Sequence, residues 1–219
     1  MRRLAVLIAL AGCEPHLVLK PLPPLARPQA PALHAIVVQD MGLHPGEHWL
    51  WDVQAGGMSI GRIELTVGDT EIASRFKTDG LASMFTHVEH DLVTVIDRQA
   101  GRPATSEEKI ERGGKLRQFS TQYAGTTAHS FHTALGAVRS WASPDAQPGY
   151  LDIVHANKTF RLELAQPVAR DGMLRIDGKV HGDDIDTLSI TIWLDDSRVP
   201  ARIEVRDGDD RVTAQLIDA

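Results

Sequence analysis

From about Pro45 onward the chain alternates apolar and polar residues with period two. Trp49, Trp51 and Val53 alternate with Leu50, Asp52 and Gln54, and Ile63, Leu65 and Val67 alternate with Glu64 and Thr66. The pattern returns at Phe160, Leu162 and Leu164, at Leu188, Ile190, Ile192 and Leu194, at Ala201, Ile203 and Val205, and at Val212, Ala214 and Leu216. Successive strand side chains point to opposite faces, so each run predicts a strand with one apolar face. Gly56-Gly57, Gly68-Asp69, Gly113-Gly114, Ala156-Asn157, Asp171-Gly172 and Asp207-Gly208 separate the runs. These residues tolerate the positive φ of tight turns, and gaps this short suit antiparallel hairpins. The count is about ten strands.

One segment departs from the rhythm. Between His129 and Ala142, Phe131, Ala134, Leu135, Val138 and Trp141 recur three or four residues apart, which predicts one helix over 129–142. Thr126 or Thr127 is placed to cap its start and Pro144 to end it. A sheet with one apolar face must cover that face. Consecutive hairpins with a single helix predict a mainly β fold: an antiparallel, strongly curved sheet, a barrel or half-barrel, with the helix packed against it.

The N-terminus follows other rules. Arg2 and Arg3 precede the apolar run Leu4 to Ala11, with small residues Ala11 and Gly12 before Cys13. This is the layout of a secretory signal, and the run is too short to span a bilayer. Leu10-Ala11-Gly12-Cys13 resembles a bacterial lipobox, in which a thiol is diacylated and the chain is cut before it. Cys13 is the one cysteine of the chain and stands where such a lipid would attach, so no intramolecular disulfide is expected. Glu14 is not the aspartate that resembles an inner-membrane retention signal, so the expected location is the outer membrane, facing the periplasm. Six of the 12 prolines lie between residues 15 and 31, which predicts an extended spacer reaching up to about 80 Å from the lipid. The expected organisation is a signal peptide over 1–12, a lipidated Cys13 with a proline-rich tether over 13–40, and one β-rich domain over 41–219.

With 219 residues, 42% hydrophobic and 24% charged, the chain has an ordinary globular composition. Its net charge of -6 becomes -8 once the arginines of the signal are removed. That balance argues against nucleic acid as a partner.

Further motifs carry a family resemblance. Pro45-Gly46-Glu47 with Trp49 and Trp51, then Gly56-Gly57 and Gly61, resembles the opening of the bacterial domain-of-unknown-function family numbered 3108. Arg102-Pro103 through Gly113-Gly114 to Gln118-Phe119 resembles its middle, and Ala137-Val138-Arg139-Ser140 followed by Pro148-Gly149 its helix-to-strand passage. Ile192 to Pro200, then Arg202-Ile203, is similar to its closing hairpin. The resemblance implies an exported β-rich domain without assigned activity. The closing hairpin also resembles that of periplasmic lipoprotein carriers, which are curved sheets holding acyl chains. On its own chemistry Asp195-Asp196-Ser197 is a turn, and Pro200 suits the first residue of a strand.

Ten histidines raise the question of metal. His44 and His48 are separated by Pro45-Gly46, His87 and His90 would face opposite sides of a strand, and His129 with His132 would need an outside ligand. The clusters Asp183-Asp184-Asp186 and Asp207-Asp209-Asp210 lack the EF-hand spacing. No cofactor or metal is therefore expected. There is no Gly-x-Ser-x-Gly elbow, phosphate loop or dinucleotide fingerprint, so no catalytic residue is assigned. The leading expectation is a binding module whose concave face takes a lipid or hydrophobic ligand, lined by Trp49, Trp51, Phe76, Phe131 and Trp141. A scaffold acting through an envelope protein partner comes second, and an envelope hydrolase third.

Overall fold

The computed structural model describes residues 33–38, 40–85, 87–183 and 185–219. Cys13, the expected signal peptide and the proline-rich stretch lie outside the described residues. In chain order the elements are β1 (His34–Ala35), β2 (His48–Ala55), β3 (Met58–Val67), β4 (Glu71–Thr78), α1 (Gly80–Phe85), β5 (Val88–Asp97), β6 (Arg102–Arg112), β7 (Lys115–Gln122), α2 (Phe131–Trp141), β8 (Gly149–His155), β9 (Lys158–Leu164), β10 (Val168–Arg170), β11 (Met173–Gly182), β12 (Ile185–Leu194), β13 (Pro200–Asp207) and β14 (Asp210–Asp218).

The strands form one sheet in the order β1-β8-β9-β11-β12-β13-β14-β2-β3-β4-β5-β6-β7, with β10 pairing β11. The sheet is mainly antiparallel and strongly curved but does not close. It corrects the expected fold in two respects. It has 14 strands rather than about ten, and β1 pairs β8 in parallel. The extra strands include β1 and β10, of two and three residues, too short to display a period. The polar β7, exposed along most of its length, has no apolar face to reveal it.

Residues 34–36, expected in the tether, instead join the sheet. Ile36 N–H donates to the Tyr150 carbonyl at 2.9 Å, and the Ile36 side chain is buried in the core. Proline-free Leu33 to Val38 has the amides and apolar side chains that pairing needs.

The alternating apolar residues point inward. The central joint runs through β14 and β2, where the C-terminal hairpin meets the first long strand, pairing Ala214 with Val53 and Leu216 with Trp51. Inside the curve lies α2. It begins two residues later than the periodicity suggests. Ser130, not Thr126 or Thr127, is its cap, in a capping box with Thr133. His129 is drawn out of the helix by a parallel bridge to Ile153. The helix ends at Ala142, whose N–H reaches the Val138 carbonyl, two residues before Pro144.

Ala134, Ala137 and Val138 face a cluster with Leu151, Leu164, Ile176 and Leu194. A second cluster gathers Leu43, Trp49, Leu65, Val67 and Ile72. Arg139 joins the helix to the sheet. It donates to both Glu47 carboxylate oxygens at 2.9 and 3.1 Å and to the Arg198 carbonyl at 2.8 Å, with its guanidinium 4.7 Å from the Trp49 ring centre. The closing hairpin is tied to the same place. Trp51 Nε1–H donates to the Pro200 carbonyl at 2.8 Å, and Val199 N–H to Asp195 Oδ1 at 2.8 Å.

Candidate functional site: an apolar cavity with a polar seam

The curved sheet and α2 do not fill the space between them. A cavity of about 560 Å³ remains. That volume falls within the roughly 300–1,000 Å³ range of small-molecule sites. Its walls come from the alternating inward positions: Ile63 and Leu65 of β3, Leu162 of β9, Ile190 of β12, Ile203 of β13 and Ala214 of β14. The helix supplies Ala134, Leu135 and Val138. Phe131, at the first turn of α2, lines the cavity and is 45% exposed, so it stands where the interior meets solvent.

The five aromatic residues expected to line the site divide three to two. Trp51, Phe76 and Phe131 border the cavity. Trp49 is 2% exposed in the second cluster, with its ring edge-on to Trp51 at 5.6 Å and covered by Arg139. Trp141 packs against the first cluster. Both are two residues or a helical turn from cavity positions, and the register of α2 against the sheet decides which aromatic faces space. Most of the lining is aliphatic, and its signal was the alternation itself.

Two polar groupings interrupt the apolar wall. In the first, His132 lies 2.8 Å from Ser74 Oγ through Nε2 and 2.9 Å from Thr94 Oγ1 through Nδ1. Burial, with the neighbouring His90 adding to it, pushes its pKa down to about 3. Ser-His-Thr has the outline of a nucleophile, a base and an orienting group. Among the described residues no carboxylate is bonded to the ring to stabilise an imidazolium, and a base with so low a pKa holds a proton poorly at neutral pH. The ring is a neutral, doubly satisfied histidine that pins the first turn of α2 to β4 and β5.

The second grouping lies where the two ends of the sheet approach. Glu108 of β6 is 5% exposed. Its Oε1 is 2.6 Å from His90 Nε2 and 2.6 Å from His155 Nδ1, and its Oε2 accepts from Ala156 N–H at 2.7 Å. Burial alone would raise its carboxyl pKa, but His155, His90 and the Ala156 amide outweigh that and bring it down to about 2. Nearby, Thr121 donates to Asn157 Oδ1 at 3.2 Å. Side chains thus bridge a gap that no backbone ladder crosses. Ala156 and Asn157 form the β8–β9 turn with φ of 48° and 60°, the doubly left-handed geometry of a tight hairpin.

No histidine spacing along the sequence marks this cluster, because the three residues come from three strands. A signal did exist: His90 shares parity with Leu92, and His155 with Ile153, so each occupies an inward position. The pairs considered from spacing do not assemble. His44 N–H reaches Glu47, His48 pairs with Glu64, His87 approaches Glu89, and His129 and His132 bond to different hydroxyls.

Fold and site together define a curved-sheet β protein with an apolar interior cavity. No family model and no curated protein matches the chain, so the resemblance to the family numbered 3108 rests on its motifs alone. Among solved structures it is similar to a beta-barrel-like protein of domain of unknown function DUF1849 from Brucella abortus. The two are 10% identical over 85% of this chain and 98% of that one, with a TM-score of 0.48.

Proposed function

We propose that this protein is a non-catalytic binding module that holds an apolar or amphiphilic ligand inside its curved sheet. In this reading it works at the cell envelope, anchored through lipid on Cys13, and belongs with the exported domains of the family numbered 3108. The observation that carries the proposal is the cavity of about 560 Å³ with aliphatic and aromatic walls. An engineered apolar cavity of about 150 Å³ stays dry and accepts a small apolar guest. This space is several times larger, and a ligand tail entering it gains about 0.8 kcal/mol per buried methylene. The polar groups that border it are few. Ser74 and His132 satisfy each other, and His90 and His155 face Glu108, so the wall offers a ligand chiefly apolar contact.

The test is native mass spectrometry of the purified protein, followed by titration with a fluorescent fatty acid. Expected are co-purified lipid and saturable uptake of the probe. Ala214→Trp fills the cavity from β14, and it should weaken uptake at least tenfold while circular dichroism still reports the sheet. Absence of both lipid and uptake, or equal uptake by the Trp variant, would refute the proposal.

A further inference from the structure

Among the described residues, one cluster brings together three side chains able to ligate a metal ion: His90, Glu108 and His155, whose ligand atoms all lie within 4.8 Å of one another. The Glu108 carboxylate explains only half of this arrangement. His90 Nε2–H donates to Oε1 at 2.6 Å. His155 Nδ1 is equally close to the same oxygen, yet it is buried and makes no hydrogen bond. That nitrogen is close to the carboxylate without the alignment that a hydrogen bond needs. A cation shared by this nitrogen and the carboxylate would give the nitrogen the partner it lacks.

We propose that His90 Nε2, a Glu108 carboxylate oxygen and His155 Nδ1 bind a divalent cation of the zinc class. Two imidazoles and one carboxylate form a set with three protein ligands and an open fourth position, which borderline metals favour. Bonds of about 2.0–2.2 Å in a tetrahedron place ligand atoms about 3.3 Å apart. Glu108 Oε1 must therefore draw back by less than ~1 Å. Its partner Oε2 is already held by Ala156 N–H at 2.7 Å, the outer contact that orients a ligating carboxylate.

The setting suits a metal bound at a junction. Glu108 comes from β6, His90 from β5 and His155 from the end of β8, so one ion links the two ends of the open sheet. The rings of His90 and Phe131 meet that of His155 edge-on at 5.6 and 5.0 Å and restrict its rotation. Hard cations such as Ca²⁺ and Mg²⁺ prefer six or more oxygens, which this cluster cannot supply. The proposal needs no ligand in the cavity and stands or falls apart from the binding reading.

The experiment is calorimetric titration of Zn²⁺ into the full chain after chelator treatment and dialysis, with Co²⁺ as a spectroscopic probe. Expected are one Zn²⁺ per chain, no competition from Ca²⁺, and the intense visible absorption of four-coordinate Co²⁺. His90→Ala, His155→Ala and Glu108→Gln should each weaken Zn²⁺ at least about tenfold. His48→Ala and His181→Ala, whose rings face Glu64 and Glu163 elsewhere, should leave it unchanged. If Glu108→Gln fails to fold, the two partly exposed histidines still carry the test. No saturable one-to-one uptake by the wild-type chain would overturn the proposal. So would undiminished affinity in both His90→Ala and His155→Ala, or a loss that tracks His48 or His181.

Discussion

At the scale of single residues, buried polar groups have the largest consequences. His132 is 2% exposed and neutral in the folded protein, its pKa pushed by burial down to about 3 from the ordinary histidine value of 6.5. The unfolded chain binds a proton there below pH 6.5 and the folded chain does not. Stability is therefore present above the unfolded pKa and falls as pH drops from about 6.5 toward 3, by about 1.4 kcal/mol per unit. Urea midpoints should show a loss of about 2 kcal/mol between pH 7 and pH 5. Replacing His132 with Asn should flatten that slope. His129, also lowered chiefly by burial, adds a loss of the same sign. That His132 would be buried was not legible from its sequence, because histidine sits as readily on a solvated helix face. What removes it from water is the meeting of Ser74, Thr94 and the first turn of α2, which belong to three separate elements.

At the scale of elements, the junction of α2 with the segment before β2 shows how closely the interior is packed. A Cβ on Gly136 would lie 1.9 Å from the Met41 carbonyl and 3.1 Å from the Leu43 side chain. Across the contact, a Cβ on Gly42 would lie 2.3 Å from the Gly136 carbonyl. Gly136→Ala would raise intrinsic helix propensity by about 1 kcal/mol, yet it should destabilise the protein by about 1–3 kcal/mol, because the backbone of the strap must retreat. Chemical denaturation of the variant measures the sign, and a gain in stability would show that helix and strap are not in contact. The strand pattern over β2, β3, β9 and β12–β14 and the existence of α2 were readable, because each has one apolar face and a period to display it. The helix starts two residues later than its periodicity predicts. Thr126 and Thr127 have the right chemistry, but the bridge of His129 to Ile153 holds the chain extended up to Ser130.

At the scale of the molecule, the open sheet leaves two unequal ends. The β8 end is covered by β1 and by the His129 bridge. The β7 end has a ladder to β6 alone and meets the β8–β9 turn through side chains. Few buried contacts and an exposed edge predict early local opening. Hydrogen exchange should find β7 amides the least protected of the long strands and those of β2 and β12 among the most, and equal protection throughout would contradict a sheet open at this seam. Polar residues on β7, among them Lys115 and Arg117, suit an edge that must not pair with another chain.

The sequence by itself determined that this is a mainly β protein with one principal helix and an apolar concave face, because period and turn chemistry are local and survive without a fold. It also placed Cys13 in the signal layout on which the expectation of a lipid anchor rests. Only the tertiary structure decided that Trp51, Phe76 and Phe131 border a cavity while Trp49 and Trp141 are core, since that depends on how far α2 sinks into the curve. It alone brought His90, Glu108 and His155 to one point. Curvature joins residues from strands far apart in the chain, and no spacing along the sequence records it.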